Sequence, residues 1–322
     1  MEKIIWGIIG CGNVTEVKSG PAFNKVPNSF LAAVMRRDKV KAEDYANRHQ
    51  VKKWYSDAKS LIQDPEINAI YIATPPDSHE AYTLAAFKAG KPVYVEKPMA
   101  LNSIEAQRMQ EAAEKYSCKL SVAHYRRAQP KFLEIKRIID EKILGKISLV
   151  NMKMALAPTP GLAETWRVNP AISGGGLFHD LAPHQLDLML YFFGVPVSIH
   201  GNSLNKSKSY HADDYVSAEI IFRNNILYKG VWDFDVSKDK EEDICEIKGE
   251  NGVLRFGVFS DLCELSLNGE TKSLTFEHLP HVQQPMIEQV VNYFLDKGPN
   301  PCSGTDAVKV MKMMDKIVGK LQ

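Results

Sequence analysis

Short, almost continuously apolar runs alternate with stretches of helical period through the first 123 residues, and this limits what the chain can become. The runs fall at Ile4–Ile9, 31–35, 69–73, Val93–Val95 and Leu120–Val122. A strand that is apolar on both sides is covered on both faces of its sheet, and strands separated by helices pair in parallel through crossovers. The expectation is a doubly wound parallel α/β domain over residues 1–123.

A helix expected at 130–142 marks a change of pattern. Val150, Met152, Met154 and Leu156 alternate with Asn151, Lys153 and Ala155, and Val216/Ala218/Ile220/Phe222 and Tyr228/Trp232/Phe234 repeat the theme. Period-two patterning separated by turn signals at Asn224-Asn225, Asn251-Gly252 and Asn268-Gly269 predicts a large, mostly antiparallel open sheet with one buried face. Helical stretches at 286–295 and 305–321 close the chain, the second after the breaker Gly298-Pro299-Asn300-Pro301. At 322 residues two cores are expected. The second is an α+β domain over 124–322.

The 40 Lys and Arg balance 39 Asp and Glu, which leaves no electrostatic footprint for nucleic acid or a membrane surface. Five scattered cysteines without a Cys-x-x-Cys pair suggest neither a disulfide framework nor a structural zinc site, and suit a reducing cytoplasm. The apolar run at Ile4–Ile9 is too short for a signal peptide and reads as the first strand. Small-molecule chemistry is the class that remains.

Gly10-Cys11-Gly12-Asn13-Val14-Thr15 follows that strand. There a Gly-x-Gly turn lets backbone N–H groups at the start of a helix approach a pyrophosphate. Thr15 occupies the position where Gly or Ala is usual, so close packing of helix on strand has to be achieved in another way. After the second strand stands Met35-Arg36-Arg37-Asp38. Two guanidinium groups favour a 2′-phosphate and hence NADP; Asp38 as a ribose partner would favour NAD. Thr74-Pro75-Pro76 with His79, and Glu96-Lys97-Pro98, follow two later strands, where open α/β sheets bind ligands. Pro98 keeps Lys97 extended, and the bland alternative there is a Glu96/Lys97 ion pair at the sheet edge.

Gly174-Gly175-Gly176 runs into a helix on which Asp180, His184, Asp187 and Tyr191 share one stripe and apolar residues fill the rest. An imidazole one turn from a carboxylate suits proton transfer near neutral pH better than a solvated surface stripe. No second ligand cluster accompanies it, so no metal site is expected. His211 with Asp213 and Asp214 reads as loop structure.

Taken in order, Gly10-x-Gly12, Thr74-Pro75-Pro76 with His79, Gly90-Lys91-Pro92-Val93 leading to Glu96-Lys97-Pro98, Arg126-Arg127 with Pro130, Trp166-Arg167, and the glycine turn leading to Asp180 and His184 resemble the Gfo/Idh/MocA oxidoreductase family. The resemblance covers the whole chain. It implies a Rossmann domain and an NAD(P)-dependent enzyme of the cytoplasm, acting on a secondary alcohol or carbonyl of a sugar, anhydrosugar, polyol or related diol at a site between the domains. Lys97, Asp180 and His184 would be catalytic: His184 exchanging the hydroxyl proton, Lys97 stabilising charge on the reacting oxygen, and Asp180 orienting both. The family leaves open which of Lys97 and His184 carries the proton. Gly10, Gly12, Asn13, Val14, Arg36, Arg37, Thr74, Pro75, His79, Glu96 and Lys97 would hold the dinucleotide. Tyr125, Arg127, Trp166, Arg167 and His184, with Tyr215, would meet the substrate.

Two other functions share this fold: an NAD-dependent redox glycosidase and a non-catalytic, sugar-responsive regulator. Arg36 and Arg37 speak against the first, and the intact Lys97/Asp180/His184 set against the second. The sheet's second face, with Asn151, Lys153, Ala155, Ser217, Glu219, Ile221, Lys229, Val231 and Asp233, suits water or a partner subunit about equally. The resemblance tips the expectation to a homodimer or higher homo-oligomer.

Overall fold

The computed structural model describes residues 2–321. Six parallel strands, β1 (Ile4–Ile9), β2 (Ser29–Met35), β3 (Lys53–Tyr55), β4 (Ala69–Ile72), β5 (Val93–Val95) and β6 (Leu120–Val122), form one sheet in the order β3-β2-β1-β4-β5-β6. The order reverses between β1 and β4, which is the arrangement of a doubly wound dinucleotide-binding sheet. Five strands coincide with the apolar runs. The sixth, β3, sits at the sheet edge with Trp54 exposed, so burial does not demand the continuous apolar signature there.

Eight strands form the second sheet: β7 (Ile147–Ala155), β8 (Ser198–Leu204), β9 (Tyr215–Phe222), β10 (Ile226–Asp233), β11 (Glu242–Gly249), β12 (Gly252–Phe256), β13 (Cys263–Leu267) and β14 (Glu270–Ser273). Their order is β14-β13-β12-β11-β7-β10-β9-β8, and every pairing is antiparallel except that of β7 with β10. Asn268-Gly269 is a two-residue hairpin with positive φ at both positions (53° and 86°), and Asn224 (62°) and Asn225 (59°) end a three-residue loop between paired Phe222 and Ile226, whereas at the third expected turn Asn251 and Gly252 have no positive φ and Gly252 already opens β12. Val150, Met152 and Met154 point into the core, and Ala155, expected on the other face, is buried too.

The Leu177–Phe193 helix packs on the inner face of this sheet, with Phe178 edge-on to Trp232 at 4.9 Å. The outer face carries ion pairs, Lys153 of β7 with Glu242 of β11 at 2.7 Å and Lys206, in the loop after β8, with Asp233 of β10 at 2.9 Å. No helix among the described residues is long and apolar enough to cross a membrane.

The chain divides into two compact units, and the division differs from the expected boundary at 123/124. One unit takes the chain through Gln129 together with His278–Val308; the other takes Pro130–Glu277 and the residues from Lys309 on. The Gln284–Phe294 helix, expected in the second domain, belongs to the first for a physical reason. Phe294 packs on Trp6 of β1 at 5.6 Å, and Lys119 donates to the Tyr293 and Phe294 carbonyls. Amphipathicity announces this helix without saying which core its apolar stripe will join.

Candidate active site

The carboxyl ends of β2, β1, β4, β5 and β6 lie along one edge of the parallel sheet and deliver, in that spatial order, Arg36, Gly10, Thr74, Glu96-Lys97 and Tyr125. Gly10 has φ 98°, and a Cβ there would stand 2.7 Å from the Thr74 nitrogen and 2.8 Å from the Ala73 carbonyl carbon. The Gly10 and Cys11 N–H groups donate to the Met35 carbonyl at 2.9 and 3.1 Å, tying the turn to the end of β2. Gly12 is different. Its φ is −132°, and only the Gly10 carbonyl lies within 4 Å of a Cβ built there, so its bare side faces open space. No side chain caps the first N–H groups of the Asn13–Val17 helix, with Asn13 exposed and Val14 half-buried. This cradle fits a pyrophosphate: the first N–H groups have no side-chain cap, and a side chain at Gly12 would enter the open space beside them.

Thr15 solves the packing problem its presence creates. Its hydroxyl donates to the Gly12 carbonyl at 2.8 Å, its own carbonyl accepts from Tyr45 Oη at 2.7 Å, and the close approach shifts to Gly20, where a Cβ would collide with both the Thr15 carbonyl and the Tyr45 hydroxyl. Arg48 and His49 both meet Glu16 on this short helix, and the Arg48 guanidinium pulls the Glu16 carboxyl down to about 2. Burial pushes the Cys11 thiol up to about 11, which keeps it protonated.

Arg36 reaches back over the turn and donates to the Cys11 carbonyl at 3.2 Å, while Arg37 is exposed. Asp38 is taken: its carboxylate caps the Lys39–Arg48 helix by accepting from the Lys41 N–H.

Thr74 and Pro75 are half-buried beside Gly10. His79 is fully buried, with Nε2 2.8 Å from the Thr74 carbonyl and Nδ1 3.0 Å from the Pro98 carbonyl, and burial holds its pKa below the usual value. Its ring lies between the loops after β4 and β5 and, as a neutral imidazole, donates to one of these two carbonyls. Glu96 likewise turns inward. Its carboxylate accepts from Tyr71 Oη at 2.5 Å, Gln283 Nε2 at 2.7 Å and the Lys97 backbone N–H at 3.2 Å. Through this buried network Glu96 fixes the backbone of half-buried Lys97. Neither Tyr71 nor Gln283 was legible as part of the site: a strand tyrosine reads as core, and Gln283 lies 187 residues from Glu96.

Tyr125 and Arg127 lie on the turn of 3₁₀ helix Tyr125–Ala128, both buried. Arg127 is 8% exposed and pairs with Asp306 at 3.4 Å inside the same unit.

In the second unit Gly174, Gly175 and Gly176 have φ of 89°, 158° and 81°, a succession that L side chains resist. Ser173 Oγ accepts from the N–H groups of Gly175 and Gly176 and locks the turn. The following helix buries His184 (4% exposed) and Asp187, and leaves Asp180 and Tyr191 half-buried. Asp180 accepts from Arg167 Nε at 3.2 Å, and the Arg167 guanidinium lies 4.8 Å from the centre of the Trp166 ring. Trp166, Arg167 and Asp180 thus form one group, a pairing the sequence did not announce. The His184 ring meets Phe259 at 5.4 Å, nearly perpendicular, a neighbour that no motif announced. His179 is buried behind the glycine turn and, chiefly by burial, pushed down to about 3. Asp214 accepts from the Lys206 and Ser207 N–H groups and organises its own loop, while Tyr215 opens β9 under Lys206. Among the described residues no group of three or more His, Cys, Asp or Glu is placed to hold a metal ion.

A doubly wound sheet with this glycine turn, followed by an open antiparallel sheet, defines an NAD-binding oxidoreductase architecture. Residues 4–124 match the model of the oxidoreductase family with an NAD-binding Rossmann fold, and residues 132–255 match the GFO/IDH/MocA C-terminal domain. The chain belongs to the Gfo/Idh/MocA oxidoreductase family. It is 47% identical over 322 residues to "Oxidoreductase P35" of Formosa agariphila, covering 99% of both chains. It is 29% identical over 234 residues to the scyllo-inositol 2-dehydrogenase (NADP(+)) IolW of Bacillus subtilis, covering 71% of this chain and 63% of the relative. Its fold matches a levoglucosan dehydrogenase solved with NADH (TM-score 0.89, 20% identity, 98% and 96% of the two chains) and an aldose-aldose oxidoreductase from Caulobacter crescentus (TM-score 0.87, 20% identity, 98% and 96%).

Proposed function

We propose that this oxidoreductase interconverts a secondary alcohol and its carbonyl on a cyclic polyol, sugar or anhydrosugar, with Lys97, Asp180 and His184 as its catalytic group. The observation that carries this reading is the locked three-glycine turn, which opens a mostly apolar helix bearing Asp180 and His184 one turn apart. The inositols and levoglucosan named for similar proteins support the substrate class. When bound, the nicotinamide supplies the hydride acceptor or donor. The protein's own part is proton and charge management: His184 takes the hydroxyl proton as the alcohol is oxidised, and the Lys97 ammonium stabilises the alkoxide-like oxygen. Asp180, held by Arg167, orients the pair. Glu96 and His79 hold the loops that carry Lys97 and Thr74.

The dinucleotide sits on the Gly10–Val14 cradle beside Thr74 and Pro75, and NADP is the preferred form, because Arg36 stands over the turn while Asp38 is committed to capping a helix. A charge-assisted contact to a 2′-phosphate contributes about 1.5 to 3 kcal/mol, roughly tenfold or more in affinity. A screen of sugars and polyols with both cofactors, read by nicotinamide absorbance, tests the assignment. Turnover with NADP favoured, and Arg36→Asp moving preference toward NAD, is the expected result. Equal or better use of NAD by the unaltered protein would remove the cofactor assignment. Hydrolysis of a chromogenic glycoside by protein that retains its dinucleotide would replace the dehydrogenase reading with the glycosidase one, and bound dinucleotide without turnover would replace it with the regulator.

Five free cysteines suit a reducing cytoplasm. The outer sheet face mixes ion pairs with partly exposed Ile221, a composition suited to the interface of a homo-oligomer. Light scattering at micromolar concentration should return a dimer mass or a multiple of it, and a monomer mass would count against this interface.

A further inference from the structure

The turn after β12 is built with more care than a surface loop needs. Asp243, on β11, accepts three backbone N–H groups from it: Val258 at 3.0 Å, Phe259 at 2.6 Å and Ser260 at 2.8 Å. Lys131 donates to the Ser260 carbonyl at 2.6 Å, and Val258 is buried beneath. A carboxylate that collects three N–H groups, with an ammonium on the next carbonyl, fixes the backbone at low entropic cost on binding. The side chain so presented is a phenyl ring, 37% exposed, whose nearly perpendicular contact is the ring of buried His184. A rigid turn that keeps a large apolar ring partly in solvent, against the residue assigned to proton transfer, is poorly explained by stability.

We infer that Phe259 is a positioning and specificity-determining residue of the active site, held in place by Asp243. On the reading of His184 as the proton carrier, the Phe259 ring keeps the imidazole in one orientation, and its exposed part receives a C–H face of a cyclic substrate. Ring C–H groups bound to oxygen-bearing carbons carry partial positive charge and pack on the negative face of an aromatic ring, while the hydroxyls between them are left to polar partners. An acyclic polyol, free to rotate, presents no such continuous face and pays more ordering entropy to make one.

The test uses the full-length protein and four variants: Phe259→Leu, Phe259→Tyr, Asp243→Ala and, for assignment only, His184→Gln. The NMR resonance of the His184 Cε1–H group, recognised by its loss in His184→Gln, should carry a ring-current shift in the wild type. That shift should vanish in Phe259→Leu, survive in Phe259→Tyr and shrink in Asp243→Ala. With a cyclic substrate from the screen, Phe259→Leu should raise KM roughly three- to tenfold and move the pH profile of kcat. Phe259→Tyr should restore both, and KM for an acyclic polyol should change less than twofold. An active wild type whose Phe259→Leu variant keeps the resonance, both KM values and the pH profile overturns the inference and leaves the proposed function intact. A wild type inactive on every sugar and polyol, with the ring-current shift present, instead removes the functional reading and, with it, the specificity role of Phe259.

Discussion

Lys97→Ala and His184→Ala should each lower kcat by about 10²- to 10⁴-fold while both still bind dinucleotide, Lys97→Ala somewhat more weakly through loss of a contact at the nicotinamide end. The reason is differential: an ammonium beside a developing alkoxide, and a base at the hydroxyl proton, act far more strongly in the transition state than on the bound alcohol. The cradle at Gly10 and Gly12 and the Arg36 side chain lie on other strand ends than Lys97, and on a different unit from His184, so the adenosine and pyrophosphate contacts survive both changes. His184 is buried against Phe259, so its truncation leaves a gap; His184→Gln keeps volume and separates a folding loss from a chemical one. Steady-state kinetics on the best substrate, cofactor titration by fluorescence and melting temperature together decide the matter. A near-normal kcat in both variants, with folding intact, would leave the dinucleotide fold standing and remove the proposed chemistry.

The parts legible from sequence were those where one physical demand acts on contiguous residues. Burial on both faces writes β1, β2, β4, β5 and β6 as apolar runs, one-sided burial writes the alternation in β7, β9 and β10, and positive φ writes Asn and Gly into the hairpins. Edge strand β3 escaped because half its surface is wet. The assignment of Gln284–Phe294 to the first unit escaped because a helical stripe states how much area it will bury, and the identity of the covering core is a long-range fact.

Within the site the same division holds. Gly10, Gly174–Gly176, Asp180 and His184 stand in local motifs whose backbone or spacing demands them. Glu96 and His79 were recognised as belonging to the site, yet their side chains turn inward to hold it: Glu96 bonds Tyr71, Gln283 and the Lys97 N–H, and the His79 ring lies between the Thr74 and Pro98 carbonyls. A motif reports that a residue is needed at a strand end without reporting the direction of its side chain. Phe259 left no trace, and Asp243 reads from sequence only as the end of the charge run 238–243, a solvated loop or strand end, because a carboxylate collecting N–H groups from a turn 15 to 17 residues away has no fixed spacing to recognise.

The two glycines of the first turn should separate folding from binding. Gly10→Ala must place a methyl group 2.7 Å from the Thr74 nitrogen while holding φ near 98°, so β1 and β4 would have to part or the turn rearrange. Left-handed backbone on an L residue costs roughly 1 to 2 kcal/mol, and overpacking against main chain roughly 1 to 3 more. A loss of about 2 to 5 kcal/mol, and a melting temperature lower by several degrees, is the expected result. Gly12→Ala meets neither penalty: its φ of −132° is open to any residue, and nothing but the Gly10 carbonyl lies within 4 Å of the new carbon. That carbon instead occupies the space in front of the uncapped N–H groups, where the pyrophosphate must come within hydrogen-bond distance. Gly12→Ala should therefore melt within about a degree of the parent protein and bind dinucleotide at least tenfold more weakly, since one or more charge-assisted hydrogen bonds are lost or lengthened. Calorimetric melting and fluorescence titration on the same preparations read the two effects separately. Unchanged dinucleotide affinity in Gly12→Ala would place the pyrophosphate elsewhere, and with it the orientation assumed for every residue along this edge of the sheet.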